Sequence, residues 1–195
     1  MNYPKLARLS QKFYFSSQDV ADALGIKPES ARVFCSRYAA KGIFIRLKNN
    51  FYSFDESWSR FSKEEFFRCA NVIQVPSYIS FLSALSYYEV TTQLQRNFFE
   101  SASLKRSIHK EIKNTTFTFY KLKKTLYFGF IKKDNFFIAT KEKAFLDAAY
   151  LCSFGKYKLD FNALDYGKLD NFELKKLAKH FPDKTQALVD KVCKT

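Results

Sequence analysis

Acid and base side chains that could share a reaction occur at two places in this sequence. In the segment IATKEKAFLDAAYL, the carboxyls of Glu142 and Asp147 and the amine of Lys143 fall on one expected helix, an arrangement that could move protons. Glu111-Ile112-Lys113 matches the end of the carboxylate-x-lysine motif of metal-dependent nucleases. Both have a plainer account. Glu142 would stand in the first turn of its helix, where an acid complements the dipole, while Ala144, Phe145, Ala148 and Ala149 form a packing stripe. The nuclease match spans three residues and has no evident acidic partner upstream, so it stays the lesser alternative.

Metal and thiol chemistry find little support. Cys35, Cys69, Cys152 and Cys193 are widely separated, none belongs to a CxxC pair, and only His109 and His180 could join them at a metal. Buried, reduced thiols are the expectation. Nor does the sequence contain a Gly-rich phosphate loop or a nucleophile–base pair. No catalytic residue, cofactor or metal is expected.

What remains is charge. Lys and Arg number 33 against 19 acids, a formal net charge of +14, which favours a polyanionic partner. The excess is concentrated. Residues 1–54 hold nine basic and three acidic side chains, and residues 105–133 hold nine and one. The second set is Lys105, Arg106, Lys110, Lys113, Lys121, Lys123, Lys124, Lys132 and Lys133. It suits a second phosphate-binding surface, a surface for an acidic protein face or for a partner's RNA, or a solvated sheet face. With 47% hydrophobic residues and 23 Phe, the chain has material for a sizeable core. The opening MNYPKLARLSQKFYF lacks a signal peptide's apolar core, and no run approaches the roughly 18 apolar residues of a membrane span. A cytoplasmic protein without membrane contact is expected.

The first basic region has the pieces of a machine for reading DNA. After a short leading helix, Phe13-Tyr14-Phe15 is expected as a strand. Ser16-Ser17-Gln18-Asp19 then offers a helix N-cap with an acid in the first turn. Val20, Ala21 and Leu24 share a face, and Gly25 sits where the chain must turn with φ positive. A second helix follows, with Pro28 at its start and Ala31, Phe34, Cys35 and Tyr38 as one apolar stripe. Its opposite face carries Glu29, Val33 and Ser36 between Arg32 and Arg37, small at the centre and basic at the edges, as major-groove insertion requires. Lys41-Gly42 closes that helix. Ile43–Arg46 and Phe51–Phe54 then form a hairpin with Arg46, Lys48, Asn49 and Asn50 at its tip, suited to phosphate or minor-groove contact. The order defines a winged helix-turn-helix over residues 1–54, with Lys27, Ser30, Arg32, Val33, Ser36, Arg37, Lys41, Arg46, Lys48, Asn49 and Asn50 as DNA-contacting candidates.

Beyond it, Asp55 to Asn71 is acidic and aromatic and reads as one connecting helix over 55–71. Residues 72–195 read as a mixed α+β domain. Its expected elements are a helix over Tyr78–Tyr88, strands Asn97–Ala102, Thr115–Leu122, Thr125–Ile131 and Asn135–Ala139, a Thr140-capped helix Lys141–Cys152, and helices near Phe172–His180 and Lys184–Val192.

The winged helix ending in KGIFIRLKNNFYSF, the segment YISFLSALSYYEV, the motif IATKEKAFLDAAYL and the closing LKKLAKHFP together resemble the AbiE-type antitoxin family. These are the transcriptional regulators of type IV toxin–antitoxin and abortive-infection systems. The motifs span most of the chain in the family's order. The resemblance implies an autorepressor that binds double-stranded operator repeats in its own promoter and opposes a nucleotidyltransferase-like toxin encoded beside it. A stand-alone winged-helix regulator is the alternative within the same binding class. One departure is local: Lys48-Asn49-Asn50 stands where such wings often carry glycine.

Overall fold

A computed structural model describes residues 3–93 and 95–193. The chain mixes helices and strands and divides into two compact units between Ile73 and Gln74.

The first unit runs α1 (Tyr3–Ser10), β1 (Phe15–Ser16), α2 (Ser17–Leu24), α3 (Pro28–Ala40), β2 (Phe44–Lys48), β3 (Phe51–Phe54), α4 (Asp55–Trp58) and α5 (Lys63–Ile73). Its three strands form an antiparallel sheet in the order β1-β3-β2. Each boundary has a local cause. Ser16 caps α2 in a reciprocal capping box with Asp19, and Gly25 leaves the helix at φ 66°, a conformation open to glycine. Pro28 starts α3, where its missing N–H costs nothing. Leu6, Leu9, Phe15, Val20, Ala21, Ala31, Cys35, Phe44, Tyr52 and Phe54 close one core. Within it the Phe15 ring meets those of Phe44 and Phe54 at 4.9 and 5.0 Å.

The connecting segment is two helices instead of one. Ser62 Oγ accepts from Glu65 N at 3.3 Å and Glu65 Oε2 accepts from Ser62 N at 2.7 Å. This second capping box starts α5 afresh. The segment falls within the first unit.

The second unit is a six-stranded mixed sheet in the order β6-β7-β5-β4-β9-β8. Its strands are β4 (Ser77–Ile79), β5 (Phe98–Ser103), β6 (Ile108–Ile112), β7 (Thr115–Lys121), β8 (Phe130–Lys133) and β9 (Phe136–Ala139). The pairs β5·β7 and β4·β9 are parallel and the other three antiparallel. The helices are α6 (Phe81–Tyr87), α7 (Lys141–Ser153), α8 (Asn171–Ala178) and α9 (Asp183–Val192).

Three expectations are corrected here. Ser77–Ile79 is the central strand β4, and only Phe81–Tyr87 is helical. Tyr78 and Ile79 are fully buried between β5 and β9, and a short apolar run buried on both faces looks alike in a helix and a central strand. Thr125–Ile131 is not a strand. A 3-10 turn at Lys124–Leu126 buries Leu126, the chain bends at Gly129 with φ 70°, and β8 begins only at Phe130. Last, α7 has no single apolar stripe, because every side chain from Glu142 to Leu151 is buried.

Candidate nucleic-acid interface

The α3 helix is anchored by one half and open on the other. Ala31 and Cys35 are fully buried, and Phe34 and Tyr38 stack at 3.9 Å between ring centroids against the same core. Burial pushes the Cys35 thiol up to about 11, so it stays protonated packing material. The remaining arc carries Glu29, Ser30, Arg32, Val33, Ser36, Arg37 and, just past the helix end, Lys41, all exposed. At 100° per residue, Glu29, Val33 and Ser36 form the crest, with Arg32 on one flank and Ser30 and Arg37 on the other. Val33 is 50% exposed, an apolar group held in water on a small, polar crest. Lys27, Arg32, Arg37 and Lys41 have no acidic partner among the described residues.

The hairpin keeps its candidates close to its own tip. Arg46 Nη2 donates to Asn49 Oδ1 at 2.9 Å, and the Lys48 ammonium lies 4.5 Å from the centre of the Phe51 ring. The strand register shifts between Arg46 and Lys48, just before the turn. Asn50 takes φ 62°, so asparagine fills the left-handed position at which a glycine is usual. Its carbonyl accepts from Ser17 N at 3.1 Å, tying the hairpin tip to the start of α2.

The basic residues of 105–133 are not one surface. Lys105 and Arg106 follow β5, Lys110 lies on β6, Lys113 at the β6–β7 turn, and Lys121, Lys123 and Lys124 close and follow β7. Lys132 and Lys133 belong to β8, at the opposite edge of the sheet. Five strand spacings, about 24 Å, separate β6 from β8.

Sequence reasoning missed what the acid–base residues do. Lys143 and Asp147 are fully buried as an ion pair. Lys143 Nζ also donates to the Tyr78 hydroxyl at 2.9 Å, and Asp147 Oδ2 accepts from Tyr78 at 2.9 Å and Ser80 at 2.8 Å. Three rings, of Tyr78, Phe128 and Phe181, surround the ammonium at 5.1 to 5.4 Å. Burial pushes the lysine down and the aspartate up, and each charge opposes the other's shift. The i,i+4 spacing was the available signal. Glu142, also buried, accepts from Asp170 N at 3.0 Å. A third buried carboxylate, Glu100, accepts from Tyr157 at 2.9 Å, Leu82 N at 3.1 Å and Gln95 at 3.2 Å.

Glu111 is exposed on β6, and Lys113 stands at the turn after it with φ 56°. Among the described residues no three His, Cys, Asp or Glu side chains come together as a metal-binding group. The four cysteines are free thiols, Cys35 and Cys69 buried as expected, Cys152 half-buried and Cys193 exposed. No described helix is long and apolar enough to cross a membrane. No family model matches the chain, and no curated protein matches it.

Proposed function

We propose that the chain is a DNA-binding transcriptional regulator whose residues 1–54 act as a winged helix-turn-helix. In this reading α2, the turn at Gly25 and α3 are the paired helices, and the β2–β3 hairpin is the wing. The observation that carries it is the exposed half of α3, where Arg32 and Arg37 flank Val33 and Ser36 and form no ion pair among the described residues. A helix of about 10–12 Å diameter fits the major groove, of about 12 Å width. There the arginines can reach guanine edges or phosphates, and Val33 can meet a thymine methyl.

The finer reading rests on the family resemblance. The chain is then the cytoplasmic antitoxin of a type IV system: it represses its own operon and opposes a nucleotidyltransferase-like toxin through a non-catalytic second unit. A stand-alone regulator would share all the DNA chemistry and lack only the adjacent toxin.

The test is binding of the full chain to a fragment of its own promoter and to a scrambled fragment, each over a range of salt concentrations. Preference for the promoter, with affinity falling steeply as salt rises, is the expected result. Equal, weak binding to both would remove the regulator reading.

A further inference from the structure

The parallel pairing of β5 and β7 sets Ser103 beside Lys121, so the segments leaving both strands emerge together at one end of the sheet. They carry Lys105, Arg106, Lys121, Lys123 and Lys124, all exposed. None has an acidic partner among the described residues, whereas Lys12, Lys168 and Lys176 pair with Asp19, Glu89 and Glu173 at 2.7, 3.8 and 3.0 Å. Adjacent strands stand about 4.8 Å apart, well inside a Debye length of about 8 Å, so these charges reinforce one another.

The backbone beneath them is fixed. Gln74, nearly fully buried, donates to Ser103 Oγ at 2.7 Å and to the Arg106 carbonyl at 2.8 Å. Ser107 Oγ accepts from Lys121 N at 2.9 Å, and Leu122 N donates to Ser103 O at 2.9 Å. Leu122 and Leu126 are buried and pin the second loop. These bonds also bear on the ligand class: the N–H groups of Lys105, Lys121, Leu122 and Leu126 are used inside the loops, so the side-chain charges, more than the backbone amides, are what the loops offer to phosphate. What the loops present is five long cationic side chains in two rows. Among the described residues the loops themselves hold no large exposed apolar side chain, and half-exposed Val75, next to Gln74, is a single such residue beside them, too little for a protein partner's apolar interface core.

We propose that this end of the sheet binds the phosphodiester backbone of nucleic acid without regard to sequence, through Lys105, Arg106, Lys121, Lys123 and Lys124. The site does not depend on the α3 reading, and its test uses nucleic acid that lacks the promoter. The full chain is titrated with mixed-sequence duplex DNA and, separately, with polyuridylate RNA at several salt concentrations. It is compared with the variant combining Lys105→Ala, Arg106→Ala, Lys123→Ala and Lys124→Ala. The slope of log affinity against log salt should fall by about three to four on the duplex, or by about three on the single strand. The arm that shows the drop identifies the strand type engaged. A variant with Lys105, Lys121, Lys123 and Lys124 all changed to Arg should keep the slope, because charge is what counts. Replacing Lys132 and Lys133 at the far edge should change the slope far less. Unchanged slopes on both nucleic acids, an equal drop on removing Lys132 and Lys133, or binding to anionic vesicles but to neither nucleic acid would overturn the proposal.

Discussion

The carboxylate of Asp19 accepts the Ser16 N–H at 2.7 Å, completing the cap of α2, and pairs with Lys12 at 2.7 Å. Burial pushes its pKa up, but the hydrogen bonds from Lys12 and Ser16 and the lysine charge outweigh that and bring it down to about 2. A carboxylate depressed in the folded state contributes stability above its ordinary pKa of 3.8 and loses it as pH falls toward 2. Asp19→Ala should therefore cost about 1 kcal/mol in urea unfolding at neutral pH, with the deficit shrinking between about pH 4 and 2. A deficit constant across that range would mean the charge of Asp19 contributes nothing. The buried pair in the second unit answers to a different balance. Lys143→Met alone leaves an unpaired carboxylate in the core and should cost about 3–5 kcal/mol, while adding Asp147→Leu should recover much of it. Strictly additive losses in the double-mutant cycle would contradict the ion-pair account. Gly129 belongs to the same packing, since a Cβ there would stand 3.0 Å from Lys143 Cγ.

At the scale of elements, legibility followed the strength of local chemistry. The helix N-cap within Ser16–Asp19, the turn at Gly25, Pro28 and the hairpin all announce themselves within a few residues, and the structure has each of them. Where partners distant in sequence decide, the signal fails. Strand β4 is extended because β5 and β9 flank it, and the sharp turn to α6 is enforced at Phe81, whose φ of 56° no propensity foretells. Strand β6 alternates, but His109, Lys110 and Glu111 hide its apolar positions. The exposed face of α3 was legible because its apolar stripe fixes its complement. The basic run 105–133 was not, since its division between two sheet edges is a matter of strand order. The hairpin carries its own prediction. Changing both Arg46 and Lys48 to Ala should lower the salt slope of promoter binding by about two, near one for each phosphate left without its cation. A slope equal to that of the unaltered chain would take the hairpin out of the interface.

For the whole molecule, the division between Ile73 and Gln74 separates the α3 surface from the buried ion pair and from the basic loops of the second unit. Substitutions on the two sides should accordingly have separable effects. On the proposed antitoxin reading, in cells carrying the toxin gene which that reading places beside it, the full chain bearing Arg32→Ala and Arg37→Ala should lose repression of its promoter and still protect against the toxin. Loss of both activities in a normally folded variant would contradict that separation. The most direct test of the central claim is the ratio of affinities for the promoter fragment and its scrambled counterpart, measured for the unaltered chain and for the same double variant. If α3 reads base edges, each arginine that does so contributes about 1–3 kcal/mol of discrimination, and the ratio should collapse toward one. A ratio that survives intact, with only the overall affinity reduced, would show that these arginines hold phosphates and that the sequence is read elsewhere.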